Sequence, residues 1–493
     1  MWAILVAVIV PLIYWGYHHI IRELREIDPV LLNHQSSISE TRKPSESAIY
    51  RSVDVPHGVS VTRGLNLSVG YKIRDGCLKD IWHLALRSAG KSHTTITLGK
   101  HRYTIGQVNT LLHQIKETLD NLGNIEAVAL FGDLMESPEL LLVVWTCFFI
   151  TDIRLIYYNS KEDFQFQLED EVNVLFTSER HVEDIPLSFK EIIGFNVKSP
   201  FTRSIDIDDV IESSFEFNYN PQIDFEHVNN QPYSFIRNRQ LIRFYQLNFL
   251  SAVASKVMSI PSSLSWSTND NLLISYTKNS CSVNNIIFET CCGLVSGLNK
   301  IDIINSREIP SMKSLAAHEP TIICIDSHIL KQLCNTTRKS FMQSFILQRS
   351  EYFNSLGYFN RFGRIEKSLN LKVAYVAQLT PMLSSFISNF CKSVLGSRII
   401  REIYTDFAIG PILKTNVYDY RVIRNKSLAL SGVPANSVEL KTINPKEGNS
   451  HGKLLIRGMS VGKSESLQTD EEHWVDTGLE GTFAKDGCFY TTF

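Results

Sequence analysis

The first 21 residues, Met1 to Ile21, carry no Asp, Glu, Lys or Arg, and the run MWAILVAVIVPLIYW within them is almost wholly apolar. A helix rises about 1.5 Å per residue, so the 21 residues reach roughly 31 Å, the thickness of a bilayer's hydrocarbon core. Trp2 lies near one end and Tyr14, Trp15 and Tyr17 cluster at the other, which suits interfacial aromatic belts. Pro11 is awkward in a soluble helix but tolerated in a membrane one. A cleaved leader needs a basic region before the apolar run and small residues at the cut. Here no basic residue precedes the run and YWGYHH follows it. The sequence therefore predicts a retained, single-pass transmembrane anchor over residues 1–21. Arg22, Arg25, Arg42 and Lys43 all lie on its C-terminal side, which puts the bulk of the chain in the cytosol. A long, hydrophobic anchor points to the endoplasmic reticulum membrane, with the mitochondrial outer membrane as the alternative.

Residues 22–57 read as a polar linker, with the Ser-rich stretch HQSSISETRKPSESA (34–48) as a flexible spacer. Beyond it the chain alternates helix and strand signals. KDIWHLALRSAG reads as an amphipathic helix stopped by Gly90, and HRYTIGQVNTLLHQIKETLDNLG as a second helix with a cap signal at Thr104. IEAVALFG then reads as a buried strand, PELLLVVWTCFFITD as a buried helix and IRLIYY as another strand. Strands that are apolar throughout, alternating with helices, predict an α/β sheet covered on both faces. The expected organisation is α/β subdomains over residues 58–412 and a smaller β-rich subdomain over 413–493.

Lys plus Arg is 49 and Asp plus Glu is 51, so the basic excess expected of a protein that grips nucleic-acid phosphates is missing. Nine scattered cysteines, an odd number with no Cys-x-x-Cys pair, exclude a disulfide framework and argue against a zinc site. They are expected to be reduced thiols, mostly in the core. Gly90-Lys91-Ser92 and Gly462-Lys463-Ser464 are not P-loops, because Ala85 and Arg457 stand where the earlier Gly must be. Gly458-Met459-Ser460-Val461-Gly462 matches the nucleophile-elbow pattern, but Asp470 and His473 follow too closely to rebuild a hydrolase triad.

Longer stretches carry a resemblance. GKLLIRGMSVGK followed by HWVDTGLEGTFAKDG matches a late segment of the acyl-CoA synthetases, the adenylate-forming ligases, through Gly452, Arg457, Gly458, Trp474, Thr477, Gly478, Gly481, Asp486 and Gly487. SGVPANSVELK is similar to an upstream strand of that family through Gly432, Pro434, Val438, Glu439 and Lys441. HEPTIICIDSHILKQL is similar to another element through Pro320, Thr321 and Leu330. NFLSAVASKV and NDNLLISY resemble the segments after the family's phosphate loop, and Gly64 to Gly132 resembles the opening of its long-chain fatty-acyl subgroup. The likeness keeps its order from about Gly64 to Phe493.

That resemblance implies a fold and also a chemistry, in which a fatty-acid carboxylate attacks ATP with Mg²⁺ and the acyl group then passes to coenzyme A. Such a site must supply preorganised donors and a cation. The family's Gly/Ser/Thr phosphate loop corresponds to Tyr233-Ser234-Phe235-Ile236-Arg237-Asn238-Arg239-Gln240, which has no Gly, no Thr and no terminal Lys. Its Tyr-Gly-x-Thr-Glu corresponds to Tyr404-Thr405-Asp406-Phe407-Ala408, with Ala408 at the metal-binding Glu. Its adenine-contacting Gly-Gly-Ala-Pro corresponds to Gln378-Leu379-Thr380-Pro381, and its Thr-Gly-Asp to Thr477-Gly478-Leu479, where leucine cannot accept bonds from ribose. Its Pro-Leu-Ala-His stretch corresponds to Lys278-Asn279-Ser280-Cys281. After KDGCFY the family continues into a small mobile domain carrying a lysine, and the sequence is expected to lack it.

These positions predict a membrane-anchored, catalytically degenerate relative of long-chain acyl-CoA synthetases. It is expected to bind no ATP, Mg²⁺, coenzyme A or other metal, and to act as a scaffold, regulatory subunit or lipid-binding protein in lipid metabolism. Its expected partners are the membrane, other proteins and a long-chain acyl lipid, with no nucleic acid. The alternative is a divergent, active long-chain fatty acid-CoA ligase, or a truncated gene model of one.

Overall fold

The computed structural model describes residues 8–16, 25–69, 71–89, 94–166, 172–178, 185, 189–195, 203–208, 210, 219, 232–278, 282–335, 340–379, 382–423, 428–443, 451–464 and 472–492. Two α/β sheets dominate. In the first, strands Arg203–Ile205, Glu191–Phe195, Val174–Thr177, Ala127–Phe131, Arg154–Tyr158 and Tyr233–Arg237 run parallel in that spatial order, and Gln240–Phe244 closes the edge antiparallel. In the second, Lys300–Ile303, Asn271–Ser275, Ile322–Asp326, Val373–Ala377 and Arg398–Ile403 are neighbours in a parallel ladder. Central strands such as Ala127–Phe131, Ile322–Asp326 and Val373–Ala377 are buried at every position, as strands covered by helices on both faces must be.

The largest apolar cluster fills the space between these sheets. It includes Trp82 of helix Leu78–Ala89, Leu111 of helix Ile105–Asp120, Phe249 of helix Gln246–Met258 and Phe288 of helix Ser282–Val295. The Thr104 cap is present: its hydroxyl accepts from the Gln107 amide, and the Gln107 side chain accepts from the Thr104 amide. The segment from Pro138 to Ile150, read as one helix, is a 3₁₀ turn, a short α-helix and a π-turn in succession, all part of the core.

Beyond Arg398–Ile403 the second sheet turns antiparallel. It continues through Leu413–Lys414, Leu428–Pro434, Phe489–Thr492, Val475–Phe483, His451–Gly458 and Val438–Ile443. Its far edge is built from the start of the chain: Tyr50–Ser52 pairs with Val438–Ile443, and Ser36–Ile38 pairs with Tyr50–Ser52. The expectation of a flexible spacer over 34–48 is thus corrected. The Gln35 amide donates to Asp486 O at 2.9 Å, and the Ser36 hydroxyl donates to Gly487 O at 2.7 Å. Polar composition misled because these residues pair through their backbone rather than through apolar side chains.

Among the described residues no helix is long and apolar enough to cross a membrane, so the fold does not display the expected 21-residue span. Residues 8–16 are helical, with Val8, Val10, Leu12 and Ile13 all more than half exposed, and the rest of Met1–Ile21 lies outside the described residues. The eight described cysteines are free and buried. No metal-binding group of His, Cys, Asp or Glu occurs among the described residues.

Candidate functional site

Tyr233–Arg237 and Gln240–Phe244 form a hairpin in which Arg237 faces Gln240, leaving Asn238 and Arg239 as the whole turn. Their φ angles, 50° and 59°, are both left-handed, the signature of the tight two-residue turn that matches strand twist. The backbone groups flanking the turn are engaged in the ladder, and Arg239 is anchored. The Arg239 amide donates to Asp163 Oδ1 at 3.1 Å and its guanidinium to Gln165 Oε1 at 2.8 Å. Arg237 forms an ion pair with Asp406, while Gln240 stays partly buried at the turn. Ser234 is buried, and Phe235 is fully buried and stacks on Tyr157 with ring centroids 5.8 Å apart.

The Tyr404–Ala408 segment leaves the end of strand Arg398–Ile403 and meets this hairpin. Phe407 O accepts from the Gly462 amide at 2.8 Å, and Ile409 N donates to Ser460 O at 3.0 Å. Ala408 is buried and forms a bridge with Val461. Arg243 and Lys463 exchange both backbone bonds at 2.8 Å, and Asn248 Nδ2 donates to Met459 O at 2.7 Å. Gly462 is required where it stands, because a Cβ there would lie 2.6 Å from the Phe244 ring. Residues 459–463 are therefore clamped between the hairpin and residues 407–409. Ser460 is fully buried and shares a 3.0 Å hydrogen bond with Ser437, which disposes of the elbow reading.

The remaining sequence-predicted positions surround this junction. The Gln378 amide donates to Glu402 O at 2.8 Å, and its side-chain oxygen accepts from the Leu383 amide at 2.7 Å. The Leu379 amide reaches Ser327 Oγ at 3.3 Å; Thr380 and Pro381, like Asn279 to Cys281, lie outside the described residues. On strand Val475–Phe483, the Thr477 hydroxyl donates to Leu454 O at 2.8 Å and accepts from the Leu479 amide. Leu479 packs, with Phe407, Met382 and Val461, against the apolar cluster of the antiparallel region. The hairpin, the Tyr404 segment and residues 459–463 are in direct contact, while Gln378 and Leu479 flank them from adjoining strands.

Beneath the junction lies a group that sequence reasoning missed. Lys256 Nζ is 2.5 Å from Glu289 Oε1 and 3.2 Å from Glu402 Oε2, and lies 3.9 Å from the centroid of the Tyr375 ring. The Tyr404 hydroxyl is 2.7 Å from Glu402 Oε2 and 3.0 Å from Glu289 Oε1. Burial works against the Lys256 charge, yet the two carboxylates hold its pKa well above the usual lysine range. Burial lifts Glu402 above the usual carboxylate range, against the pull of Lys256. The only warning in the sequence was a lone charge inside the apolar runs AVASKVM and IIFETCC, and Glu402 within the buried strand RIIREI. The cluster pins helices Gln246–Met258 and Ser282–Val295 to strand Arg398–Ile403.

A cavity of about 440 Å³ opens beside this network, with Lys256, Glu402, Lys414 and Asp54 among polar walls and Leu31, Ile400 and Val417 among apolar ones. Burial pushes the Lys414 amine down to about 8, opposed by Asp54 and Glu402. A second cavity, about 540 Å³, lies by Arg51, Glu439, Arg457 and Lys463. There burial would raise the Glu439 carboxyl, but hydrogen bonds from Arg457 and Arg51 hold it below its ordinary range. Arg457 also lies over Trp474, 4.7 Å from a ring centroid, and donates to Glu472 at 3.1 Å.

No family model matches the chain. It is 25% identical over 551 aligned positions to the uncharacterized protein YHR045W of Saccharomyces cerevisiae, with 94% of each chain covered. Among solved structures it is similar to the luciferase-like enzyme of the nonluminescent Zophobas morio mealworm, with a TM-score of 0.60 and 12% identity over 88% of this chain and 99% of that one. It is also similar to the N-terminal domain of FACL13 from Mycobacterium tuberculosis (TM-score 0.58, 12% identity, 84% and 99% covered). The fatty acyl CoA synthetase of Mycobacterium tuberculosis gives a TM-score of 0.58 at 13% identity, with 83% and 77% covered. The chain has the fold of the adenylate-forming acyl-CoA synthetases.

Proposed function

We propose that this chain is a membrane-anchored protein that uses an acyl-CoA-synthetase fold without its nucleotide chemistry, serving as a scaffold or regulatory subunit in lipid metabolism. The observation that carries the reading is the closed hairpin at residues 233–244. A triphosphate needs backbone N–H groups exposed around small residues. Here a two-residue turn leaves no such cradle, and Phe235 and Ile236 are buried. Among the described residues, three other matched positions offer Mg-ATP no ligand. Ala408 is buried against Val461, Asp406 is engaged by Arg237, and Leu479 belongs to an apolar cluster. The charge-free run Met1–Ile21 supports a tether in the endoplasmic reticulum membrane with the folded domain in the cytosol.

Purified full-length chain given palmitate, coenzyme A and Mg-ATP is expected to release no AMP and to show no fatty-acid-dependent pyrophosphate exchange. Sustained AMP release, proportional to chain and surviving contaminant controls, breaks the reading. A stable protein partner co-purifying from detergent supports it.

The cavity beside Lys414 favours a second reading, in which the fold holds a lipid without turning it over. Apolar walls beside the Lys414 amine, with Lys256 already held by Glu289 and Glu402, suit a long-chain acyl group with an anionic head. Thermal stabilisation by long-chain fatty acid but not by Mg-ATP, abolished in Lys414→Met, would select that reading.

A further inference from the structure

Helix Phe341–Ser355 turns an apolar stripe away from the protein. Phe341 is 91% exposed, Phe345 51% and Tyr352 53%, and their spacing puts them on one face. Leu347, Ser350 and Asn354 occupy the opposite, buried face. The neighbouring helix Ser385–Leu395, packed on it through Asn389 and Ser393, adds Phe386, more than half exposed. Large exposed aromatics gathered in this way mark an interaction surface rather than scattered surface residues.

Two further observations identify what covers it. The first is where the N-terminal run joins the domain. The Arg25 guanidinium donates to Leu356 O at 3.1 Å, and the Glu26 amide donates to Gly357 O at 3.1 Å, immediately after the helix. Arg398 forms an ion pair with Glu26, which fixes the attachment. The four residues from Ile21 to Arg25 reach at most about 14 Å, so a bilayer holding Met1–Ile21 lies within that distance of the helix's C-terminal end. The second is charge. Arg338, Lys339, Arg349, Arg361, Arg364 and Lys367 stand against only Glu351 and Glu366 in this stretch, as an anionic headgroup layer requires.

We infer that helix Phe341–Ser355, with Phe386, is a second membrane contact that lies flat in the anionic headgroup layer beside the anchor. The inference rests on the anchor proposed above. Apolar side chains entering the headgroup boundary above basic residues are the working parts of an interfacial helix. The tether removes most of the cost of finding the surface, because the contact becomes intramolecular.

The test uses the full-length chain in liposomes of phosphatidylcholine and phosphatidylserine. Because all described native cysteines are buried, Phe345→Cys offers a selectively reactive thiol for an environment-sensitive fluorophore. Glu117→Cys, on the exposed side of helix Ile105–Asp120, is the comparison site. Nitroxide-labelled lipid is expected to lower emission roughly twofold at position 345, leaving 117 nearly unchanged, and less so without phosphatidylserine. Unquenched emission at 345 from membrane-bound chain overturns the inference. A label there that is blue-shifted but unquenched also overturns it, in favour of a protein on this face. Alkaline carbonate treatment separates the two claims: release of the chain breaks the anchor reading, while quenching at 345 still decides the docking face.

Discussion

The junction around residues 233–244, 404–409 and 459–463 and the antiparallel region that follows it treat the resemblance to ligases in opposite ways. In the antiparallel region, the matching residues do backbone work. Gly432 has φ +99°, and a Cβ there would lie 2.1 Å from Lys414 O; at Gly481 it would lie 2.2 Å from Tyr490 O. Trp474 is fully buried with Lys441 and Arg457 over its rings. At and beside the junction, the positions that the resemblance matches to small or acidic groups hold Phe235 on the hairpin, Phe407 and Ala408 on the segment that contacts residues 460–462, and Leu479 on a flanking strand. The contrast teaches that the matching glycines sit where two backbones approach too closely for a Cβ, whereas the non-matching positions are filled by side chains that pack on one another.

This contrast can be broken at several points. The largest effect is expected from Lys256→Met, which leaves Glu289 and Glu402 buried without their cation and should cost roughly 3–5 kcal/mol. Denaturant unfolding of the full chain reads it, and a loss under 1 kcal/mol would show the network to be dispensable. Gly432→Ala should cost about 3 kcal/mol, from a left-handed backbone plus a shift of Lys414. If that variant were neutral, the glycines of the antiparallel region would not be the constraint proposed. Asp406→Asn should cost only about 1.5 kcal/mol, since the Arg237–Asp406 pair is partly exposed, and should create no ATP binding in calorimetry. ATP binding by that variant would mean that the ion pair alone closes the site.

The smallest effect is a pH dependence. Burial would raise the Asp419 carboxyl, but bonds from Arg421 hold it below its ordinary range. Its contribution is therefore complete above the unfolded value, about 3.9, and is lost as pH falls through the lower folded value. Hydrogen exchange should show residues 34–38 loosening first in acid, because Gln35 bonds to Asp419 and Ser36 to the neighbouring Gly487. Uniform protection of this segment down to the acid unfolding transition would contradict that assignment.

Much of the fold was legible because its signals are local. Thr104 followed by Gln107 is a capping box, and AVALF is a strand apolar at every position. PELLLVVWTCFFI was not legible in detail, since a run apolar on all sides carries no period. Its break is made by Thr146, whose hydroxyl bonds back to Leu142 O at 2.8 Å and whose carbonyl accepts from the Thr151 amide. At the candidate site, Gly-poor residues 233–240 could be placed by resemblance, but the two-residue turn depends on the Arg237–Gln240 register. The Lys256–Glu289–Glu402 group was invisible for a plainer reason: its members are 33 and 146 positions apart and meet only in three dimensions.

The strap made by Ser36–Ile38 and Tyr50–Ser52 has a consequence for biosynthesis. Tyr50 pairs with Leu440, so this strand leaves the ribosome 390 residues before its partner on the sheet. At about 5–20 residues per second, the intervening stretch takes roughly 20–80 s to make. Throughout that interval the side of Tyr50–Ser52 turned away from Ser36–Ile38 lacks its strand partner, a vulnerable edge that a nascent-chain chaperone would be suited to shield.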